Sequence, residues 1–370
     1  MKKILFFITS LDGGGAEKVL VNLVNHLDKV KYDVTVQTMF DVGINKNFLF
    51  DDIHYKYVFK KPFRGNTQLF KLFSPNFLYK KMIKEQYDIV VSFFQSPITR
   101  IVAGCPDKDT KIVQWIHNEF HSKNKIAHCY KNVEECVELQ KRFDATVYVS
   151  QTVKDIYLST FPEIKGNDNV LYNVVETKKI IERSCEPIDE VGLYNAETTL
   201  ISVGRLVPQK AFNRLLSIIK RLKDCGKSVR LLLLGAGNLE KELKNQASNL
   251  EINDVVTFLG YKENPYKYVK NADLFVCSSL HEGFSTAVTE ALIVGTPVIT
   301  ALCSGMRELL GDNEYGVITD NDEDALFNGV LDLINDKNLL NYYREKAHER
   351  GCIFDTELTT SNVEAFFDSL

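Results

Sequence analysis

The stretch His281-Glu282-Gly283-Phe284-Ser285, running on through Glu290-Ala291-Leu292 to Gly295-Thr296-Pro297, decides the reading of this chain. The apolar run 273–277 ahead of it has the length of a buried strand. Ser285 is a residue type that caps helices, and the positions after it predict a helix over 286–294. Glu282 therefore falls in the loop at the carboxyl end of the strand, and Glu290 falls on the helix beyond its first turn. In an open α/β sheet, ligands bind in the crevice outside the carboxyl ends of the strands. Two acceptor-rich carboxylates there suit a ligand with several hydroxyls, such as a sugar and a ribose. The amides of the helix start suit a phosphate.

Outward from this stretch, strand-like and helix-like segments alternate. The first half predicts strands at 4–9, 34–40, 55–59, 89–94, 111–116 and 146–150, with helices at 16–27, 68–85 and 132–142. The second half starts again, with strands at 200–204, 229–235, 255–259, 274–277, 297–300 and 316–319. Its helices are predicted at 213–223, 239–249, 286–294, 324–334 and 338–349. Such alternation means parallel sheets covered on both faces. Residues 174–198 are charged, lack an apolar period and read as an interdomain link. The expected organisation is a domain over 1–173, the link over 174–198, a second domain over 199–355 and a helix over 356–370 that could cross back to the first. The fold class is α/β, two doubly wound Rossmann-like domains facing across a deep cleft, and such interfaces are common ligand sites.

Bulk composition is ordinary for a soluble globular protein. The 370 residues are 45% hydrophobic and 25% charged, which leaves room for two sizeable cores. The longest apolar runs are strand-sized, so no spanning helix is expected. The apolar run 4–8 after Met1-Lys2-Lys3 is too short for a signal peptide and reads as a first strand. Eight cysteines are scattered without a Cys-x-x-Cys pair, which favours free thiols in a reducing cytoplasm over a disulfide framework or a zinc site.

Charge is unevenly shared. Residues 1–173 hold 24 Lys/Arg against 19 Asp/Glu, whereas the remainder holds 21 against 30. From Lys56 to Lys84 there are eight cations, Lys56, Lys60, Lys61, Arg64, Lys71, Lys80, Lys81 and Lys84, and no acidic residue. Tyr57, Phe59, Phe63, Phe70, Phe73, Phe77 and Tyr79 are interleaved with them. A run of cations alone is commonly a solvated face. Cations mixed with aromatics raise the case for a membrane-surface site. No nucleic-acid module is visible, and the chain as a whole is acidic.

Other loops at predicted strand ends carry chemistry. Arg205 and Lys210 follow Gly204 in the loop before the next helix, where two cations can clamp a diphosphate, Arg by its planar fork and Lys as a point charge. Two surface cations in a turn are the plain alternative. The run Gly13-Gly14-Gly15 sits between the first strand and helix, where glycine lets the backbone approach a ligand. It lacks the spacing of a dinucleotide fingerprint. His117 and Glu119 follow the strand 111–116; a lone histidine there is as often structural as functional. Asp107-Lys108-Asp109 and Asp320-Asn321-Asp322 lie in short polar loops and are read as chance occurrences of Asp-x-Asp.

Taken in order, Gly204-Arg205-Leu206…Lys210 and Glu282-Gly283-Phe284-Ser285…Glu290-Ala291-Leu292…Gly295-Thr296-Pro297 resemble the retaining glycosyltransferases of family four, which have the GT-B fold and serve bacterial surface-polysaccharide assembly. The resemblance implies that Arg205 and Lys210 hold a donor diphosphate, Glu282 the donor sugar and Glu290 the nucleotide ribose. It implies that Gly14, Gly15, Gly204, Gly283, Phe284, Ser285 and Thr286 line the sugar–phosphate pocket and that Asn264 and Pro265 lie beside the base. His117 resembles the family's histidine near the reacting carbon. Ala211 departs from the glycine often found after the lysine. The expected activity is transfer of a hexosyl or N-acetylhexosaminyl group from a UDP-sugar to a hydroxyl of a glycan acceptor, possibly lipid-linked, without a metal or other cofactor. The expected location is the cytoplasmic face of a cell membrane, with Lys60, Lys61, Arg64, Lys71, Lys80, Lys81 and Lys84 toward the acceptor or membrane. A non-catalytic partner subunit of the same fold and a nucleotide-sugar epimerase are the rival readings.

Overall fold

The computed structural model describes residues 1–12, 14–164 and 166–370. The chain divides into two units, Met1–Val175 with Thr356–Leu370, and Glu176–Asp355.

The first unit is a seven-stranded, all-parallel sheet. Its strands are β1 (Lys2–Ile8), β2 (Tyr32–Phe40), β3 (His54–Phe59), β4 (Ile89–Ser92), β5 (Lys111–Ile116), β6 (Ala145–Tyr148) and β7 (Asn167–Val170), in the spatial order β3-β2-β1-β4-β5-β6-β7. Central strands covered on both faces read as continuous apolar runs, and Ile4 to Phe7 are accordingly buried without a break. The helix Thr356–Asp368 belongs to this unit. Phe367 packs edge-on against Phe6 and Tyr32, with centroids 5.9 and 6.2 Å away. The Tyr32 hydroxyl donates to Asp368 at 2.7 Å, and the Lys2 ammonium to the Phe367 carbonyl at 2.8 Å.

The second unit is a six-stranded parallel sheet. Its strands are β8 (Thr198–Val203), β9 (Val229–Leu234), β10 (Val256–Gly260), β11 (Leu274–Cys277), β12 (Val298–Ala301) and β13 (Val317–Thr319), ordered β10-β9-β8-β11-β12-β13. The helix Phe212–Asp224 buries Phe212, Leu215, Leu216, Ile218, Ile219 and Leu222, one face at helical spacing, in a core shared with Leu231, Leu233 and the helix Glu323–Asn335.

Several elements differ from expectation. The helix expected over 68–85 is two, Asn66–Lys71 and Pro75–Met82. Ser74 caps the second by accepting from the Phe77 amide, and Pro75 takes its first position, where a missing N–H costs nothing. The stretch 174–198, read as a link, carries structure of its own: Val174 and Val175 are buried, and Thr177–Ser184 is a helix of the second unit with Ile180 buried. Helices such as Pro97–Val102, Gln151–Thr160, Tyr266–Asn271 and Met306–Leu310 carry too short an apolar pattern to stand out in the sequence. No helix among the described residues is long and apolar enough to cross a membrane.

Candidate active site

In the second unit β8 and β11 are neighbours, although the strands β9 and β10 intervene in the sequence, with Leu274 beside Leu200 and Phe275 beside Ile201. From β8 the sheet runs one way to β9 and β10, and from β11 the other way to β12 and β13. The connections therefore leave in opposite directions and open a crevice at the strand ends, where α/β sheets bind ligands. The two loops that reach this place are 204–211, after β8, and 278–285, after β11.

These loops are tied together. The Leu280 amide donates to the Gln209 carbonyl at 2.8 Å, the Gln209 side-chain amide to the His281 carbonyl at 2.7 Å, and the Ser278 hydroxyl to the Lys210 carbonyl at 2.8 Å. The result brings the Lys210 Nζ to 2.5 Å from Glu282 Oε1, which also accepts from the Ser279 hydroxyl at 2.6 Å. Burial works against the Lys210 charge, but the Glu282 carboxylate outweighs it and holds the lysine above its ordinary pKa. The Arg205 charge pushes the other way, and its side chain is exposed on the same loop.

Glycines make this approach possible. A Cβ on Gly204 would lie 3.1 Å from Lys210 Cε, so a larger residue would crowd the lysine stem. Gly235, at φ +138°, lies so close beneath that its Cβ would meet the Gly204 carbonyl at 1.9 Å. Ala211 adopts φ 48° and ψ 41°, the left-handed conformation that glycine takes without strain. The departure from the family's glycine thus leaves the turn intact but strained.

After the loop, Ser285 caps the helix Thr286–Ile293 by accepting from the Val288 amide, and Glu282, Gly283, Phe284, Ser285 and Glu290 are all buried. Glu290 lies in the second turn of that helix.

Three residues that the sequence reading passed over hold this arrangement. Arg214, buried at the start of the helix Phe212–Asp224, donates to the Ser278 and Ser279 carbonyls at 2.5 and 3.2 Å and to Asn321 at 2.8 Å. Asn321 in turn donates to the Leu280 and Leu302 carbonyls at 3.2 and 2.9 Å. Gly305, at φ +75°, abuts the Gly283 carbonyl, 2.6 Å from where its Cβ would stand. The middle residue of Asp320-Asn321-Asp322 is therefore an anchor between loops, while Asp322 caps the helix Glu323–Asn335. Asp107 accepts from Gln86 and from the Asp109 amide inside its own turn. Among the described residues no group of three or more His, Cys, Asp or Glu is placed to hold a metal. Only the repeated small residues after β9 and β12 could have signalled Gly235 and Gly305, and Arg214 looks like any helix-surface cation in the sequence.

Asn264 and Pro265 follow the edge strand β10. The Asn264 amide donates to the Arg183 carbonyl and to Glu186, both at 2.8 Å, and not to the Lys210–Glu282 pair.

In the first unit, Gly14 is the extended residue before the helix Gly15–His26, at the carboxyl end of β1; Gly13 lies outside the described residues. His117 follows β5. It is buried, packed 4.7 Å from the Phe93 ring, and its backbone amide donates to Gln95 at 3.2 Å. Burial lowers its pKa to about 3 against the supporting hydrogen bond to the Phe93 backbone. A backbone group that favours the ring proton is a carbonyl, so one ring nitrogen carries the hydrogen. Nε2 has no partner among the described residues and is left as a bare acceptor. Glu119 pairs with the His121 ring at 2.6 Å.

The basic stretch of this unit divides. Phe59 and Phe63 pack on Phe40, and Phe70 packs on both of them, with centroids 5.3–6.2 Å apart, and Tyr79 is buried, so these four are not surface aromatics as the sequence pattern suggested. Leu69, Leu72, Phe73 and Phe77 are exposed instead, Leu72 by 76%. Lys56 is paired with Glu85. Lys60, Lys61, Arg64, Lys71, Lys80, Lys81 and Lys84 make no ion pair among the described residues, and all but the half-buried Lys71 are exposed. Arg100, fully buried, donates to the Phe70 and Phe73 carbonyls at 3.1 and 3.0 Å and to Glu135 at 2.8 Å, fixing the backbone under this surface.

Comparison with known proteins agrees with this architecture. The family model for glycosyl transferases group 1 matches residues 186–350, and that for glycosyltransferase family 4 matches residues 13–179. A Campylobacter jejuni protein named as N-acetylgalactosamine-N,N'-diacetylbacillosaminyl-diphospho-undecaprenol 4-alpha-N-acetylgalactosaminyltransferase is 28% identical over 96% of each chain. A second from the same organism, a GalNAc-alpha-(1->4)-GalNAc-alpha-(1->3)-diNAcBac-PP-undecaprenol alpha-1,4-N-acetyl-D-galactosaminyltransferase, is 26% identical over 95% of this chain and 94% of its own. The structure of Anabaena HepE in complex with UDP-glucose superposes with a TM-score of 0.79 at 20% identity, covering 100% of both chains. The two family models, end to end over nearly the whole sequence, together with the two parallel sheets, establish that the chain belongs to the family-four glycosyltransferases of GT-B fold and is a glycosyltransferase.

Proposed function

We propose that this protein transfers a sugar from a UDP-sugar, with retention of anomeric configuration, to a hydroxyl of a lipid-linked glycan acceptor. The observation that carries the donor side is the meeting of Lys210 and Glu282 at 2.5 Å in the switch-point crevice, beside the start of the helix Thr286–Ile293. A leaving nucleoside diphosphate develops negative charge. Lys210, Arg205 and the backbone amides at 285–287 supply fixed positive charge and donors for it, which is electrostatic preorganisation. Glu282 and Glu290, acceptor-only when ionised, orient the hydroxyls of the sugar and the ribose. Neutral His117 offers a bare Nε2 acceptor at the carboxyl end of β5 and, titrating near pH 3, does not act as an acid at neutral pH. No metal is required in this reading, because resident cations and amides neutralise the diphosphate.

The acceptor side is supported by the relatives' names, which specify undecaprenyl-diphosphate-linked glycans. It is also supported by seven cations that make no ion pair among the described residues and lie in the same stretch of chain as exposed Leu69, Leu72, Phe73 and Phe77, a composition that suits an anionic membrane surface on the cytoplasmic side.

The test is a screen of radiolabelled UDP-sugars with polyprenyl-diphosphate glycan acceptors, followed by NMR of the product's anomeric linkage. Labelled product with the donor's configuration supports the reading. An epimer formed from a UDP-sugar alone, or donor binding without transfer to any acceptor while a second protein restores it, supports an epimerase or a partner subunit instead.

A further inference from the structure

Glu282 in this structure is occupied by the lysine that a donor diphosphate would need. Its Oε1 takes one hydrogen bond from the Lys210 ammonium at 2.5 Å and one from Ser279 at 2.6 Å. Glu282 and Ser279 are buried, and Lys210 is half-buried. We infer that this pair makes the site discriminate the intact nucleotide-sugar from the spent nucleoside diphosphate. The inference rests on the donor-site reading above.

The argument is one of partner exchange. A diphosphate carries more charge than one carboxylate and competes for the Lys210 ammonium. Once Lys210 turns to phosphate, Glu282 keeps Ser279 but loses its cation. A buried carboxylate short of a cation is costly, and a nearby phosphate adds repulsion. An attached sugar repairs this, because its hydroxyls donate to the carboxylate. UDP alone brings no such donors to Glu282, since its ribose hydroxyls are taken by Glu290 in this reading. The intact donor therefore replaces every interaction it displaces, and the product does not. After transfer, Glu282 recaptures Lys210 and loosens UDP, so the same pair speeds product release. Arg205, exposed, has no comparable acidic partner to give up among the described residues.

Isothermal titration of the full-length protein with UDP, UDP-glucose and UDP-N-acetylgalactosamine tests this. Glu282→Gln keeps size and hydrogen bonding but removes the charge. It is expected to tighten UDP by about tenfold or more and to leave the best-bound nucleotide-sugar unchanged or weaker, so their ratio falls by at least about tenfold. Ser279→Ala removes the other donor, leaves Glu282 more dependent on Lys210, and is expected to weaken UDP, a change of opposite sign that serves if the first variant does not fold. UDP affinity unchanged within twofold in both variants, with the wild-type ratio retained, overturns the inference alone. A wild-type protein that binds neither UDP nor any nucleotide-sugar overturns the donor-site reading itself.

Discussion

His117 makes a measurable commitment about stability. The buried ring titrates near pH 3, far below its ordinary value of about 6.5. Above pH 6.5 the ring is neutral in both the folded and unfolded chain and contributes no pH dependence. As pH falls through 6.5 the unfolded chain takes up a proton that the folded one refuses, so stability is lost progressively down to about pH 3. At pH 5 the loss relative to pH 7 is about 2 kcal/mol, from a shift of some 1.5 pH units below the unfolded pKa at 1.36 kcal/mol each. His117→Asn removes the titration while keeping a donor for the Phe93 carbonyl. Trp115, the only tryptophan, is buried two residues away in the same unit and reports its unfolding by fluorescence. Urea denaturation at pH 7 and pH 5 is expected to show the wild type losing about 2 kcal/mol more than the variant across that interval. Taking the difference between proteins cancels carboxylates such as Asp41 and Glu135, which titrate in both. Equal losses in wild type and variant would refute the buried, neutral assignment.

Four further outcomes are expected. Ala211→Gly relieves the left-handed strain but loosens the unfolded chain, so thermal melting should put its stability within about 1 kcal/mol of wild type, whereas Ala211→Val should cost about 1–3 kcal/mol. Gly305→Ala forces a Cβ against the Gly283 carbonyl and should weaken nucleotide-sugar binding by about tenfold in calorimetry, because the loop bearing Glu282 must shift. Asn321→Ala unpairs Arg214 and two loop carbonyls and should cost about 1–2 kcal/mol in denaturant titrations while lowering kcat more than it raises KM. EDTA should leave transfer unchanged; loss of activity restored by a divalent ion would show that Arg205, Lys210 and the helix amides are insufficient.

Much of the second unit was legible before folding. Leu231 to Leu234 and Leu274 to Cys277 announce buried strands because parallel strands are covered on both faces. Ser285 announces a helix start because its hydroxyl can satisfy a free amide. The stretch 68–85 was misread because its apolar spacing continues through Ser74-Pro75, where a stop and a new cap outweigh periodicity. The aromatics at 59, 63, 70 and 79 were read as surface because residue type does not reveal that Phe59 and Phe63 meet Phe40, that Phe70 meets both of them, or that Tyr79 turns inward.

The sequence by itself determined most of the strands and the longer helices, that the loops bearing Arg205, Lys210 and Glu282 lie at the carboxyl ends of strands, and that Glu290 lies on the helix that follows. Those follow from local physics: side-chain periodicity, capping and the conformational limits of glycine and proline. Only the tertiary structure decided that β8 and β11, 71 residues apart at Leu274 and Val203, are neighbours, and so that Lys210 meets Glu282. It also decided that Arg214, Asn321 and Gly305 brace that meeting, since strand order is set by packing of distant faces and no local pattern encodes it.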